Sequence, residues 1–154
     1  MFARLLSVAV SAVTAMGLIV GAALAADMGT AAEAKAMLER AVGALKVDKA
    51  KALADFNSGA AGFKEKDLYV YCGGPDGNFT AHPSLMGKSL KTLMDKGTPP
   101  KPIGETLYKD AKEGVISEMT YTWASPADPA KTFMKEVYFT KVGDQICGVG
   151  YQKP

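Results

Sequence analysis

Between Thr30 and Val47 apolar side chains return every three or four residues, and Met37, Ala41, Val42 and Leu45 fall on one stripe. That spacing predicts a helix, with Thr30 placed to cap it and Glu33 three residues on to complete a capping box. Asp48–Phe56 reads as a second helical piece, stopped by Asn57-Ser58-Gly59. From Asp67 the pattern changes to strands. Leu68–Cys72 and Asn78–His82 flank the turn residues Gly73-Gly74-Pro75-Asp76-Gly77, a hairpin signature. A long polar connection runs from Pro83 to about Gly114, with Pro99-Pro100-Lys101-Pro102 near its middle. Val115–Trp123, Phe133–Val142 and Gln145–Tyr151 read as three more strands, the last two joined by a tight turn at Gly143-Asp144. Two helices, a hairpin, a crossover and a three-strand meander predict an α+β domain around a five-stranded antiparallel sheet.

The amino terminus follows neither period. Met1–Arg4 carries one positive charge, Leu5–Ala25 carries none, and the stretch ends in Ala23-Leu24-Ala25 before Ala26-Asp27. A basic start, an apolar middle and small residues at the cleavage positions predict a signal peptide over residues 1–25. Residues 26–154 are then a single periplasmic domain. The uncharged run is also about long enough to span a bilayer, so an uncleaved anchor is the competing reading. Gly17, Gly21 and the small-residue end favour cleavage, and no cysteine lies nearby to carry a lipid.

Composition narrows the chemistry. A net charge of +2 over 154 residues offers no basic excess for a nucleic-acid surface. One histidine and two cysteines cannot build a four-ligand zinc centre, so no metal site is expected. Gly87-Lys88-Ser89 ends like a phosphate-binding loop, but His82 stands where that motif needs its first glycine. Gly-x-Ser-x-Gly, His-Glu-x-x-His and Cys-x-x-Cys-His are all missing. The expectation is a protein without cofactor that is not an enzyme. Export favours a bridge between Cys72 and Cys147, with two free buried thiols as the other reading.

Four blocks then appear in order: Ala54-Asp55-Phe56-Asn57 with Gly62-Phe63 and Asp67-Leu68-Tyr69-Val70-Tyr71; Asp76-Gly77, Ala81-His82-Pro83 and Met86-Gly87-Lys88-Ser89-Leu90; Tyr121-x-Trp123-x-x-Pro126; and Lys135-x-x-Tyr138-Phe139-x-Lys141-Val142-Gly143-Asp144, ending in Cys147-Gly148-Val149-Gly150-Tyr151. Together they resemble a bacterial single Cache sensor domain over nearly all of residues 26–154. One departure is Ala124 after Trp123, where that family often has proline. The resemblance implies a PAS-like extracytoplasmic fold that holds small molecules between one sheet face and the long crossover. It also implies a setting in chemoreceptors and sensor kinases, where such domains serve chemotaxis and signal transduction and often recognise short carboxylates. The family's strand order makes the first and fifth strands neighbours, which would bring Cys72 to Cys147. No membrane helix or output module follows Tyr151, so a free-standing domain is expected, monomeric or weakly dimeric, serving a membrane receptor or sensor kinase.

The candidate ligand contacts are Tyr71, His82, Tyr121, Trp123, Lys135 and Tyr138. Strand alternation puts Met119, Tyr121 and Trp123 on one face of their strand and Ile116, Glu118, Thr120 and Thr122 on the other. Tyr and Trp serve equally as core residues or as a pocket wall with a polar tip. His82 either makes a structural hydrogen bond or touches the ligand. Lys135 and Lys141 suit an anion, though most lysines are simply solvated. Parity sets Lys135 and Tyr138 on opposite faces unless a bulge intervenes. Two functions are therefore expected in competition: a domain binding a small organic acid, or a structural or interaction component of the cell envelope with the same fold and no ligand.

Overall fold

The computed structural model describes residues 28–125 and 127–154, so the predicted leader and Pro126 lie outside the described residues. The first helix, α1, spans Ala31–Val47. Its capping box forms as expected: the Glu33 amide donates to Thr30 Oγ1 at 3.2 Å and the Thr30 amide donates to Glu33 Oε2 at 2.8 Å. The buried stripe is Ala34, Met37, Leu38, Ala41 and Leu45. Val42, expected on that stripe, is only partly buried at its margin. Helix α2, Lys49–Ser58, is capped by Asp48, buries Ala52 and Phe56, and stops at Gly59 in the left-handed region.

Six strands follow rather than five. They are β1 (Lys64–Glu65), β2 (Leu68–Gly73), β3 (Phe79–Ala81), β4 (Ser117–Ala124), β5 (Thr132–Val142) and β6 (Gln145–Gln152). The additional strand, β1, has only two residues, too few for any alternation to register. The antiparallel order is β1-β2-β6-β5-β4, with β3 also paired to β2. The last strand therefore lies between β2 of the hairpin and β5 of the meander. Its register sets Cys72 directly opposite Cys147, and the two are joined by a disulfide with Cα atoms 4.1 Å apart.

The sheet separates two cores. On one face α1 and α2 pack against Leu68, Val70, Cys72, Cys147, Val149 and Tyr151. On the other, Tyr71, Phe79, Tyr121, Val137, Phe139 and Ile146 meet Leu90, Ile103 and Leu107 from the crossover. Strand β6 shows the division most plainly: Cys147, Val149 and Tyr151 face the helices, while Gly148 and Gly150 alternate with them.

The crossover, read as polar connection throughout, contains a helix, α3, over Ile103–Asp110. Its eight residues give barely two turns, and no capping side chain announces its start. Asp95 ties the segment down: its carboxylate accepts from the amides of Gly97 (3.1 Å), Lys101 (2.6 Å) and Thr122 (3.3 Å). The Lys96 amide donates to the Thr122 carbonyl at 2.9 Å. The Tyr108 hydroxyl donates to the Gly74 carbonyl at 2.7 Å. At Gly104 a Cβ would collide with the Leu90 backbone, so only glycine allows α3 to lie this close to the preceding loop.

Among the described residues no helix is long and apolar enough to cross a membrane, and no cluster of side chains is arranged to hold a metal ion. The disulfide closes a loop with a sequence separation of 75. The loop-entropy account then assigns it about 4 kcal/mol. Urea unfolding of a Cys72→Ala/Cys147→Ala protein should show a loss of that order, and thiol titration of unfolded, unreduced wild type should find no free thiol. Equal stability of the two proteins would contradict the assignment.

Candidate functional site

The face opposite the helices carries a small aromatic chamber. Alternation along β2 turns Tyr69 and Tyr71 toward it, and alternation along β4 does the same for Tyr121 and Trp123. Phe79 on β3 and His82 just beyond it close one side. The roof comes from the crossover: Leu85, Leu90, Leu93, Ile103 and Leu107. The enclosed volume is only about 20 Å³, room for about one water. Beyond Tyr69 and Trp123 lies a larger groove of about 300 Å³, bordered also by Asp67, Phe133, Lys135 and Gln152.

His82 is fixed by its own loop. Its Nδ1 accepts from the amides of Ser84 (3.0 Å) and Leu85 (3.1 Å), so the neutral ring carries its proton on Nε2. Tyr69 and Phe79 meet the ring edge-on, with centroids 5.1 and 4.9 Å away. The main-chain amide of His82 donates to Asn57 Oδ1 at 3.1 Å, fastening the strand end to α2. Burial, reinforced by the positive charge of Lys135, lowers the imidazole pKa from 6.5 to about 4. At neutral pH the ring is therefore an uncharged donor through Nε2.

Lys135 is the more unusual group. It is only 7% exposed, yet no carboxylate pairs with it among the described residues. Its ammonium donates to the Tyr69 hydroxyl at 3.1 Å and lies 4.6 Å from the centre of that ring. Tyr71 and Tyr121 are buried to the same degree, at 6% and 8% exposure. Burial pushes both phenols well above their ordinary range, with neighbouring tyrosines adding to the effect, so both stay protonated. Trp123 packs edge-on against Tyr121 with centroids 5.8 Å apart, and the Lys96 ammonium stands 5.8 Å over its ring.

The chamber thus gathers Tyr71, His82, Tyr121 and Trp123, with Lys135 at its border beside the groove. Tyr138 does not join them. The ladders on both sides of β5 run without interruption, so no bulge reverses its parity. Tyr138 packs on the helix-side core, stacked on Tyr151 at 6.2 Å, and its inclusion with Lys135 is corrected on that ground. Lys141 is exposed beside the Gly143 turn. Sequence reasoning passed over Tyr69, which alternation alone places beside Tyr71. It also passed over the roof, because its leucines sit in a loop without period.

No protein-family model matches the sequence, and no curated protein matches it. Solved structures similar in fold include a Cache chemosensory domain whose carboxylic acid recognition has been described. It has a TM-score of 0.53 and 14% identity over 78% of this chain and 86% of that one. The periplasmic sensor domain of a chemotaxis protein is also similar, with a TM-score of 0.58 and 14% identity over 78% of this chain and 88% of that one. The chain has the Cache fold. Within it the chamber lies between the sheet and the crossover, and its wall offers hydrogen-bond donors in excess of acceptors.

The burial of His82 ties the stability of the fold to pH. The unfolded chain takes up a proton near pH 6.5 and the folded protein only near 4, so its contribution to stability falls as pH drops across that interval. Imidazole NMR of this single histidine should give a folded-state value near 4, and His82→Gln should flatten the stability slope between those limits. A native value at or above 6.5 would contradict the burial described.

Proposed function

We propose that this chain is an exported sensing domain whose ligand is a small organic acid of two to four carbons. The observation that carries the reading is the buried Lys135 ammonium, which has no carboxylate partner among the described residues and stands beside a wall of neutral donors. A carboxylate would supply the missing negative charge and accept from the ammonium, from His82 Nε2 and from tyrosine hydroxyls. The apolar roof would exclude water and strengthen each of those bonds. A chamber of about 20 Å³ holds no acid, so the leucine roof or the Tyr69–Trp123 wall must shift to admit one. The carboxylic acid recognised by the Cache neighbour supports the same class of ligand.

Export fits the remaining features. The leader-like residues 1–25 and the Cys72–Cys147 disulfide support an oxidising periplasmic setting. The partner on this reading is a membrane receptor or sensor kinase. The small chamber favours a second reading, an envelope component that keeps the fold without a ligand.

Calorimetry and thermal melting separate the two. A panel of two- to four-carbon monocarboxylates, hydroxy acids and keto acids is titrated, with neutral amides as controls. A binding acid at a hundredfold excess over its Kd should add roughly 2.7 kcal/mol and raise the Tm. Trp123, the sole tryptophan, should shift in fluorescence, and Lys135→Met should weaken binding by roughly tenfold or more. Folded protein that binds no acid at millimolar concentration would favour the envelope component. For the leader, intact mass of the exported protein should begin at Ala26, whereas membrane-bound material retaining Met1 would establish an anchor.

A further inference from the structure

Lys135 and Tyr69 stand on strands that do not touch, because β6 runs between β5 and β2. Lys135 is in register with Gln152 on β6, and its stem slants from there over Gly150. Gly150 is the register partner of Val137, and the pairing of Val70 with Val149 and Tyr71 with Gly148 sets it beside Tyr69. A Cβ built there would lie 2.5 Å from Lys135 Cε and 2.6 Å from Val137 Cγ2, both inside van der Waals contact. The lysine therefore reaches Tyr69 by lying across the bare backbone of the intervening strand. A neighbouring position follows the same rule, since a Cβ at Gly148 would lie 2.6 Å from the Tyr71 hydroxyl oxygen.

We propose that Gly150 is the positioning residue of the anion site: its missing side chain is the slot that delivers the Lys135 ammonium to Tyr69 and the edge of the chamber. Any side chain at 150 displaces the stem and moves the charge away from the wall of donors. The inference rests on the carboxylate reading for its ligand, but the placement of the charge is testable without any ligand. His82 provides the readout. It is the only histidine, it lines the same chamber, and it is faced by Lys135 from β5 and Tyr69 from β2.

The test is a double-mutant cycle of Gly150→Ala and Lys135→Met on the full chain, read by the NMR titration of His82. Lys135→Met should raise the His82 pKa above its starting value of about 4 by removing a nearby positive charge. Gly150→Ala should raise it in the same direction with the lysine still present, and adding Gly150→Ala to Lys135→Met should change it no further. Acetate affinity, measured alongside, should fall by roughly tenfold in Gly150→Ala. If Gly150→Ala does not fold, the comparison moves to a Val137→Ala background, which removes the second clash and leaves the lysine as the one side chain in the slot. An unchanged His82 titration in a folded Gly150→Ala or Val137→Ala/Gly150→Ala protein would overturn the assignment. Wild type that fails to bind acetate while the titration cycle behaves as described would remove acetate as the ligand and leave the positioning role standing.

Discussion

The arrangement of this domain turns on one buried cation. An ammonium taken out of water is costly, and where no carboxylate among the described residues pairs with it the protein answers with a hydroxyl, an aromatic face and the apolar company of its own stem. Each answer depends on a different strand. Tyr69 comes from β2, Lys135 from β5, and the bare surface between them from β6. The position of β6 between β2 and β5 is thus what brings these groups together, and the disulfide ties β6 to β2 on the reverse face.

Polarity is divided between the two sides of the sheet by alternation alone. Cys147, Val149 and Tyr151 feed the helix-side core, which is greasy and continuous. The intervening positions on β6 are glycines, so that face has room for large side chains arriving from neighbouring strands. The roof then seals those side chains from water. His82 links sheet and roof, because Nδ1 accepts the first free amides of the crossover while the ring lines the chamber. A protonated Nδ1 could no longer accept those two bonds.

Much of this was legible in the sequence, and the parts that were not share a physical cause. Thr30 with Glu33, the stripe on α1 and the parity of Tyr121 and Trp123 are local rules that tertiary contacts reinforced. Strand β1 and helix α3 are too short to carry a period and exist because the sheet edge and the crossover pack them. Tyr138 teaches most. Resemblance of motifs grouped it with Lys135 while parity separated them, and the unbroken β5 ladders side with parity. That no described carboxylate pairs with Lys135 could not be read from the chain at all. It is a property of which charges the fold leaves out.

If this cation awaits an anion, as proposed, the ammonium itself is the place to look. Lysine side-chain NMR with the Lys135 Nζ signal assigned through Lys135→Met, followed across an acetate titration, observes it directly. The account predicts a saturable shift of the Lys135 signal, with the other lysine signals changing only as bulk salt changes them. A Lys135 signal that stays fixed while acetate reaches millimolar excess, or one that moves only in step with the exposed lysines, would contradict it.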